Sequence, residues 1–137
     1  FRDAVKQAED AGVTICFEPL APTETNFINT AAQAIELVRP FKSPSFKIIL
    51  DVKAMSSETK PIPQIIKESA PHFAYFHAND KNLKGPGFGE VDFVPIAAAL
   101  RSAAYDGVVS VEVFKFDEGA HAIATRSLDY LRKSFAS

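Results

Sequence analysis

The sequence predicts an α/β fold: four parallel strands with helical crossovers, arranged as half of an eight-stranded barrel. Three observations lead there. Short apolar runs alternate with amphipathic helix patterns in the order αβαβαβαβα. The runs are near-continuous in apolar residues, as strands covered on both faces are. Each of the four runs also stops on an acidic residue or a histidine, at steps of about 30 residues, the length of one βα unit.

Residues 2–10 place Ala4, Val5 and Ala8 among charges, a short amphipathic helix that Gly12 can close with a left-handed cap. Val13 to Phe17 reads as the first strand and ends at Glu18. Ala21 to Asn29, with Pro22, reads as a polar loop. A helix from about Thr30 to Arg39 carries Ala31, Ala34, Ile35 and Val38 on one face, and Pro40 and Pro44 stop it. Phe46 to Leu50 is the second strand and ends at Asp51. Val52 to Pro63 reads as a loop, after which Ile62, Ile65 and Ile66 mark a helix to Ser69, broken by Pro71. Phe73 to Phe76 is the third strand and ends at His77. A long loop from Ala78 to Val91 contains Gly85, Gly87 and Gly89. Asp92 is placed to cap a helix over Phe93–Ala103, because its carboxylate can accept from the free N–H groups of the next turn. Asp106 and Gly107 form a turn into the fourth strand, Val108 to Val113, which contains Glu112. The last helix, Gly119 to Phe135, turns Ile123, Leu128 and Leu131 toward the core.

Four parallel strands can make an open sheet or half of a closed barrel. Open sheets often bind nucleotides through a glycine-rich turn after the first strand. Here that strand is followed by Glu18-Pro19-Leu20, and the later Gly85-Pro86-Gly87-Phe88-Gly89 opens no helix. Neither segment fits a phosphate-cradling loop, so the half barrel is the better reading.

The 137 residues suit one domain, 1–137, with room for a core. A net charge of −2 provides no basic field for nucleic acid, and no apolar stretch reaches the roughly 20 residues of a membrane span. The single cysteine, Cys16, rules out an intrachain disulfide and is expected to be a buried thiol in a cytoplasmic protein. The chain starts at Phe1 inside a helix pattern, and is therefore expected to be a fragment or a processed product.

Parallel strands in this rhythm bring Glu18, Asp51, His77 and Glu112 to one edge of the sheet, the edge that carries active sites in α/β barrels. Three crowded carboxylates are costly unless a cation compensates them. The four are therefore expected to hold one divalent metal ion, Mn²⁺, Mg²⁺, Co²⁺ or Zn²⁺, with oxygen-rich ligation favouring Mn²⁺ or Mg²⁺. Glu24, six residues after Glu18, is placed to reach back over the mouth, and Lys81 and Lys84 to meet an anionic substrate.

These segments resemble the sugar isomerase and epimerase superfamily of TIM barrels, which includes D-tagatose 3-epimerase-like enzymes, hydroxypyruvate isomerase, xylose isomerase and endonuclease IV. Glu18-Pro19-Leu20 with Glu24-Thr25-Asn26-Phe27 is similar to the family segment after strand five, and Ile49-Leu50-Asp51 resembles strand six. Phe76-His77-Ala78-Asn79-Asp80 resembles strand seven, Val111-Glu112 strand eight, and Gly87 to Phe93 the loop before helix seven. The resemblance covers nearly the whole chain and corresponds to strands five to eight, the C-terminal half of the barrel.

The resemblance implies a metal-dependent isomerase or epimerase of a sugar or small hydroxy-carbonyl compound, working by proton abstraction through an enediolate. It implies that Glu18, Asp51, His77 and Glu112 bind the metal, that Glu18 and Glu112 double as acid/base groups, and that Glu24 contacts substrate. Ketohexose epimerases carry a substrate-binding histidine three residues after the strand-six aspartate and an arginine six residues after the strand-seven histidine. This chain has Ala54 and Leu83 there. A non-catalytic metal- or sugar-binding barrel is the alternative, and an endonuclease IV-like phosphodiesterase is disfavoured because only His72 and His121 accompany His77. The expected partners are a sugar-like small molecule and either a second copy or the missing half barrel, with no nucleic acid and no membrane.

Overall fold

The computed structural model describes residues 1–137. In chain order the elements are α1 (Arg2–Ala11), β1 (Ile15–Phe17), α2 (Ala31–Val38), β2 (Phe46–Asp51), α3 (Val52–Met55), α4 (Ile62–Ser69), β3 (Phe73–Ala78), α5 (Phe93–Ser102), β4 (Val109–Val111) and α6 (Ala120–Ala136). All strand pairs are parallel and lie in the order β1-β2-β3-β4. Spatial order thus follows chain order, as in the wall of a barrel, and β1 and β4 each leave one edge unpaired. No helix is long and apolar enough to cross a membrane.

One face of the sheet makes the core. Phe46, Ile48 and Leu50 of β2 and Phe76 and Ala78 of β3 are buried among Ala31, Ala34 and Val38 of α2, Ile65 and Ile66 of α4, and Phe93, Ile96 and Leu100 of α5. Burying each large side chain contributes about 1.5–3 kcal/mol. Side chains alternate across a strand, so Lys47, Ile49, Tyr75 and His77 occupy the other face, which is only half-buried.

Local chemistry fixes the helix ends. Thr30 and Gln33 form a capping box on α2, a feature typically worth about 1 kcal/mol. Glu58, from the segment before α4, accepts the Ala31 N–H at 2.9 Å and ties that segment to the start of α2. Asp92 caps α5 through the Val94 N–H, as expected, and Gly12 closes α1 at φ 66°.

Several expectations need correction. Val52–Met55 is a helical turn rather than loop, because the Asp51 carboxylate accepts the Ala54 N–H at 2.7 Å and caps it. The first and fourth strands are three residues each, since Val13 and Val108 lie outside the ladder and are more than half exposed. Leu128 is exposed; the buried stripe of α6 runs through Ile123, Ser127 and Leu131. Ser127 stands one helical turn after Ile123 and one before Leu131, and Gly85 packs so close to it that a Cβ at 85 would collide with the serine hydroxyl. Cys16 is half-buried rather than enclosed.

The β2–β3 ladder is irregular. Ile48 is level with Phe73, but Ile49 is level with Tyr75, so β3 carries one extra residue at Ala74. Above it, Asp51 and His77 are direct neighbours.

Candidate metal centre

Glu18 follows β1, Asp51 ends β2, His77 lies in the last turn of pleat of β3, and Glu112 follows β4, all at the same edge of the sheet. The Glu112 N–H donates to the Ala78 carbonyl at 3.2 Å, which continues the β3–β4 ladder to the site. Each of the four side chains offers one ligand atom, and these atoms all lie within 4.8 Å of one another. His77 Nδ1 is 3.2 Å from Glu18 Oε1, 3.3 Å from Glu112 Oε2 and 3.8 Å from Asp51 Oδ2. Ligands about 2.1 Å from one octahedral ion stand about 3 Å apart as neighbours and about 4.2 Å apart when opposed. The three separations from His77 fall in that span, and the donor set suits a single divalent cation.

The inner pair is more enclosed than the outer pair. The Asp51 side chain is 1% exposed and that of His77 16%, against 30% for Glu18 and 33% for Glu112. Burial pushes the Asp51 carboxyl above its usual range, opposed by hydrogen bonds from the Ala54 N–H and from Asn79. Burial also raises Glu112, with the His77 charge acting the other way. The hydrogen bond with Glu18 raises His77, against its own burial. Burial thus works against the charged forms of Asp51 and Glu112, and a cation would compensate them.

Asn79 was not singled out by the sequence reading. It is fully buried, its Nδ2 donates to Asp51 Oδ2 at 2.6 Å, and its Oδ1 accepts the Lys53 N–H at 2.7 Å. It orients Asp51 from the side. Its signal was available: Asn79, one residue past the end of β3, stands two residues after His77, so the strand's alternation carried one step further puts both on one face. The adjacent Asp80 is also buried, and its carboxylate accepts the Val91 N–H at 2.8 Å, anchoring the long loop.

Glu24 does not join the quartet. Its Oε2 accepts the Ala21 N–H at 3.1 Å and its Oε1 pairs with Lys53 Nζ at 2.8 Å. Lys84 pairs with Glu118 at 2.5 Å, so it is not free for an anion. Ala54 is buried, while Leu83, at φ 72°, borders a cavity beside the site.

Residues 1–134 match the model of the xylose isomerase-like TIM barrel family. The chain belongs to that family. It is 33% identical over 113 residues to D-psicose 3-epimerase of Ruminiclostridium cellulolyticum, covering 82% of this chain and 39% of the relative. To L-ribulose 3-epimerase of Mesorhizobium japonicum it is 31% identical over 107 residues, covering 78% and 36%. Among solved structures, 3-keto-D-glucoside 4-epimerase from E. coli superposes with a TM-score of 0.88 at 27% identity, over 96% of this chain and 50% of that one. D-psicose 3-epimerase in the presence of D-fructose superposes at 0.82 with 26% identity, over 98% and 51%. The chain therefore spans well under half the length of these curated relatives and half of these solved barrels, which makes its sheet half of a TIM barrel.

Proposed function

We propose that this chain carries the metal centre of a divalent-metal-dependent isomerase or epimerase acting on a sugar or small hydroxy-carbonyl compound through an enediolate. The observation that carries the reading is the convergence of Glu18, Asp51, His77 and Glu112 within 4.8 Å, at the sheet edge of a chain whose relatives are named as sugar epimerases. Those four residues would hold the ion, Mn²⁺ or Mg²⁺ in preference given three oxygen donors. The ion would supply Lewis-acid polarisation of the substrate's carbonyl and hydroxyl oxygens.

The residues do the rest. Asp51 and His77, fixed by the ladder and by Asn79, define the position of the site. Glu18 and Glu112 follow the two outer strands, β1 and β4, so they would flank a substrate from two sides. One removes the proton from the carbon beside the carbonyl; the other, or the same one, returns it. Such acid/base help is worth about 10²–10⁴-fold. Glu24 borders the substrate at the rim through its pair with Lys53. The domain is 1–137, and the unpaired edges of β1 and β4 would be closed by the other half barrel, on further chain or on a second copy.

Ala54 and Leu83, standing where ketohexose epimerases anchor substrate, favour a second reading, a non-catalytic metal- or sugar-binding barrel. One experiment separates the two. The whole protein is loaded with Mn²⁺ and incubated with ketoses in deuterium oxide. Exchange at the carbon next to the carbonyl is expected; full metal occupancy without exchange on any ketose would leave only the binding role.

A further inference from the structure

A cavity of about 430 Å³ is lined by residues of the segments that follow Glu18, Asp51, His77 and Glu112, among them Glu24, Lys53, Ser57, Lys81, Leu83 and Phe114. Lys53 is its central charge. Its side chain is only 10% exposed, with Nζ 2.8 Å from Glu24 Oε1 and 4.0 Å from the centre of the Phe114 ring. An ammonium has three donors. Glu24 is the only protein acceptor that Lys53 Nζ has, and the other two donors have none. Glu24 is meanwhile committed through both oxygens, to Lys53 and to the Ala21 N–H. Lys81 is exposed and has no carboxylate partner. The cavity thus holds two ammonium groups against one carboxylate.

The cavity is also tied to the metal centre. Lys53 is two residues from Asp51, and its N–H is held by Asn79, whose other end holds Asp51. The Lys53 charge acts, in small part, against the rise that burial gives the carboxyls of Asp51 and Glu112. A substrate whose reacting oxygens sit at the quartet would reach Lys53 with its remaining carbons. Phe114 and Leu83 supply an apolar wall, and the hydroxyls of Ser56 and Ser57 already donate to the Val52 and Ala54 carbonyls, which leaves Thr23 as the other hydroxyl of the lining.

Building on the proposed function, we propose that Lys53, assisted by Lys81, is a specificity-determining residue that takes an anionic group, carboxylate or phosphate, at the end of the substrate remote from the reacting carbon. The two spare donors of Lys53 bind the anion, and Glu24 holds the ammonium in place. The positive excess of the cavity makes an anion the favoured occupant over a neutral hydroxyl.

The test uses the whole protein loaded with Mn²⁺, with D-gluconate, D-fructose 6-phosphate and D-fructose as probes in calorimetric titrations. Wild type is compared with Lys53→Met, which keeps the apolar stem without the charge, and with Lys53→Arg. Contact of the probes with the metal is common to all three proteins. At least one anionic probe is expected to bind tenfold or more tightly than fructose. Lys53→Met should weaken the anionic probe at least tenfold more than it weakens fructose, and Lys53→Arg should restore most of the difference. Whichever of gluconate and fructose 6-phosphate keeps the advantage identifies the anion. Equal binding of all three probes by wild type, or an equal loss for anion and ketose in Lys53→Met, would overturn the assignment and leave Lys53 a structural clamp for Glu24. A wild-type protein that takes up no Mn²⁺ would instead refute the metal reading, and the substrate role of the cavity with it.

Discussion

The two central strands and the two edge strands of this sheet are built differently. β2 and β3 run six residues each and bury Phe46, Ile48, Leu50 and Phe76 to within 2% exposure. β1 and β4 run three residues each, and every one of those residues is half-buried. The candidate ligands inherit the difference. Asp51 and His77 are packed and hydrogen-bonded, whereas Glu18 and Glu112 stay about a third exposed. The lesson is a division of labour: the centre of the sheet sets position, and the outer strands present carboxylates that solvent can reach.

Truncation of the core should show the largest gap. Phe76→Ala removes a fully buried ring and should cost about 3–5 kcal/mol in urea unfolding. Val111→Ala on β4 should cost well under half of that, because its side chain is already partly solvated. Equal losses would show that the edges are as well packed in solution as the centre.

Next in size is the contrast within the quartet. Glu112→Gln in the whole protein should lower turnover about 10²–10⁴-fold, with unfolding free energy within about 0.5 kcal/mol of wild type. Asp51→Ala should abolish metal uptake and also cost about 1–3 kcal/mol, because the Ala54 N–H and Asn79 Nδ2 lose their acceptor in a buried place. Turnover retained by Glu112→Gln at full metal occupancy would remove its acid/base role.

The smallest effect is a pH dependence that links an edge residue to a central one. Glu18 raises His77 above its ordinary value of 6.5, so the metal-free site keeps a proton on the imidazole to higher pH. An incoming ion must displace that proton. Metal affinity should therefore rise with pH, by at most about tenfold per unit, until the raised value is passed, and then level off. In Glu18→Gln the rise should end at lower pH, although affinity is weaker throughout. An unchanged midpoint in metal titrations across pH would mean that Glu18 does not hold the imidazole proton.

How much of this was legible in the sequence follows the same division. β2 and β3 are largely apolar runs, each entered two residues after a proline, and their extents agree with the reading to within two residues. The short edges were overestimated because Val13 and Val108 look like strand residues, yet nothing packs over them. The one-turn helix after Asp51 was missed because its cause is not periodic: it rests on one carboxylate oxygen accepting one N–H. The four candidate ligands were found because each terminates a strand, a pattern that needs only counting. Lys53 and Asn79 escaped because their positions matter through partners far away in sequence, Glu24 for one and Asp51 for the other. Leu128 is one position off the inward stripe of the helix, which runs at steps of four through Ile123, Ser127 and Leu131 and so takes a polar residue where an apolar one would be expected.

The extra residue of β3 at Ala74 has a consequence of arithmetic. In the register below it, Asp51 would lie beside Phe76, whose ring points into the helical layer. One added residue changes odd for even, and brings an imidazole beside the carboxylate where a phenyl ring would have stood. The chain can change the letter at position 74 at little expense, but not the count. Deleting that residue would exchange the faces of Tyr75, Phe76 and His77 at a stroke, putting charge into the oil and an aromatic ring into the site. Deleting two would restore the parity yet drop His77 by about 6.6 Å along the strand. Natural variation between Ile49 and His77 should therefore respect a length rather than a spelling.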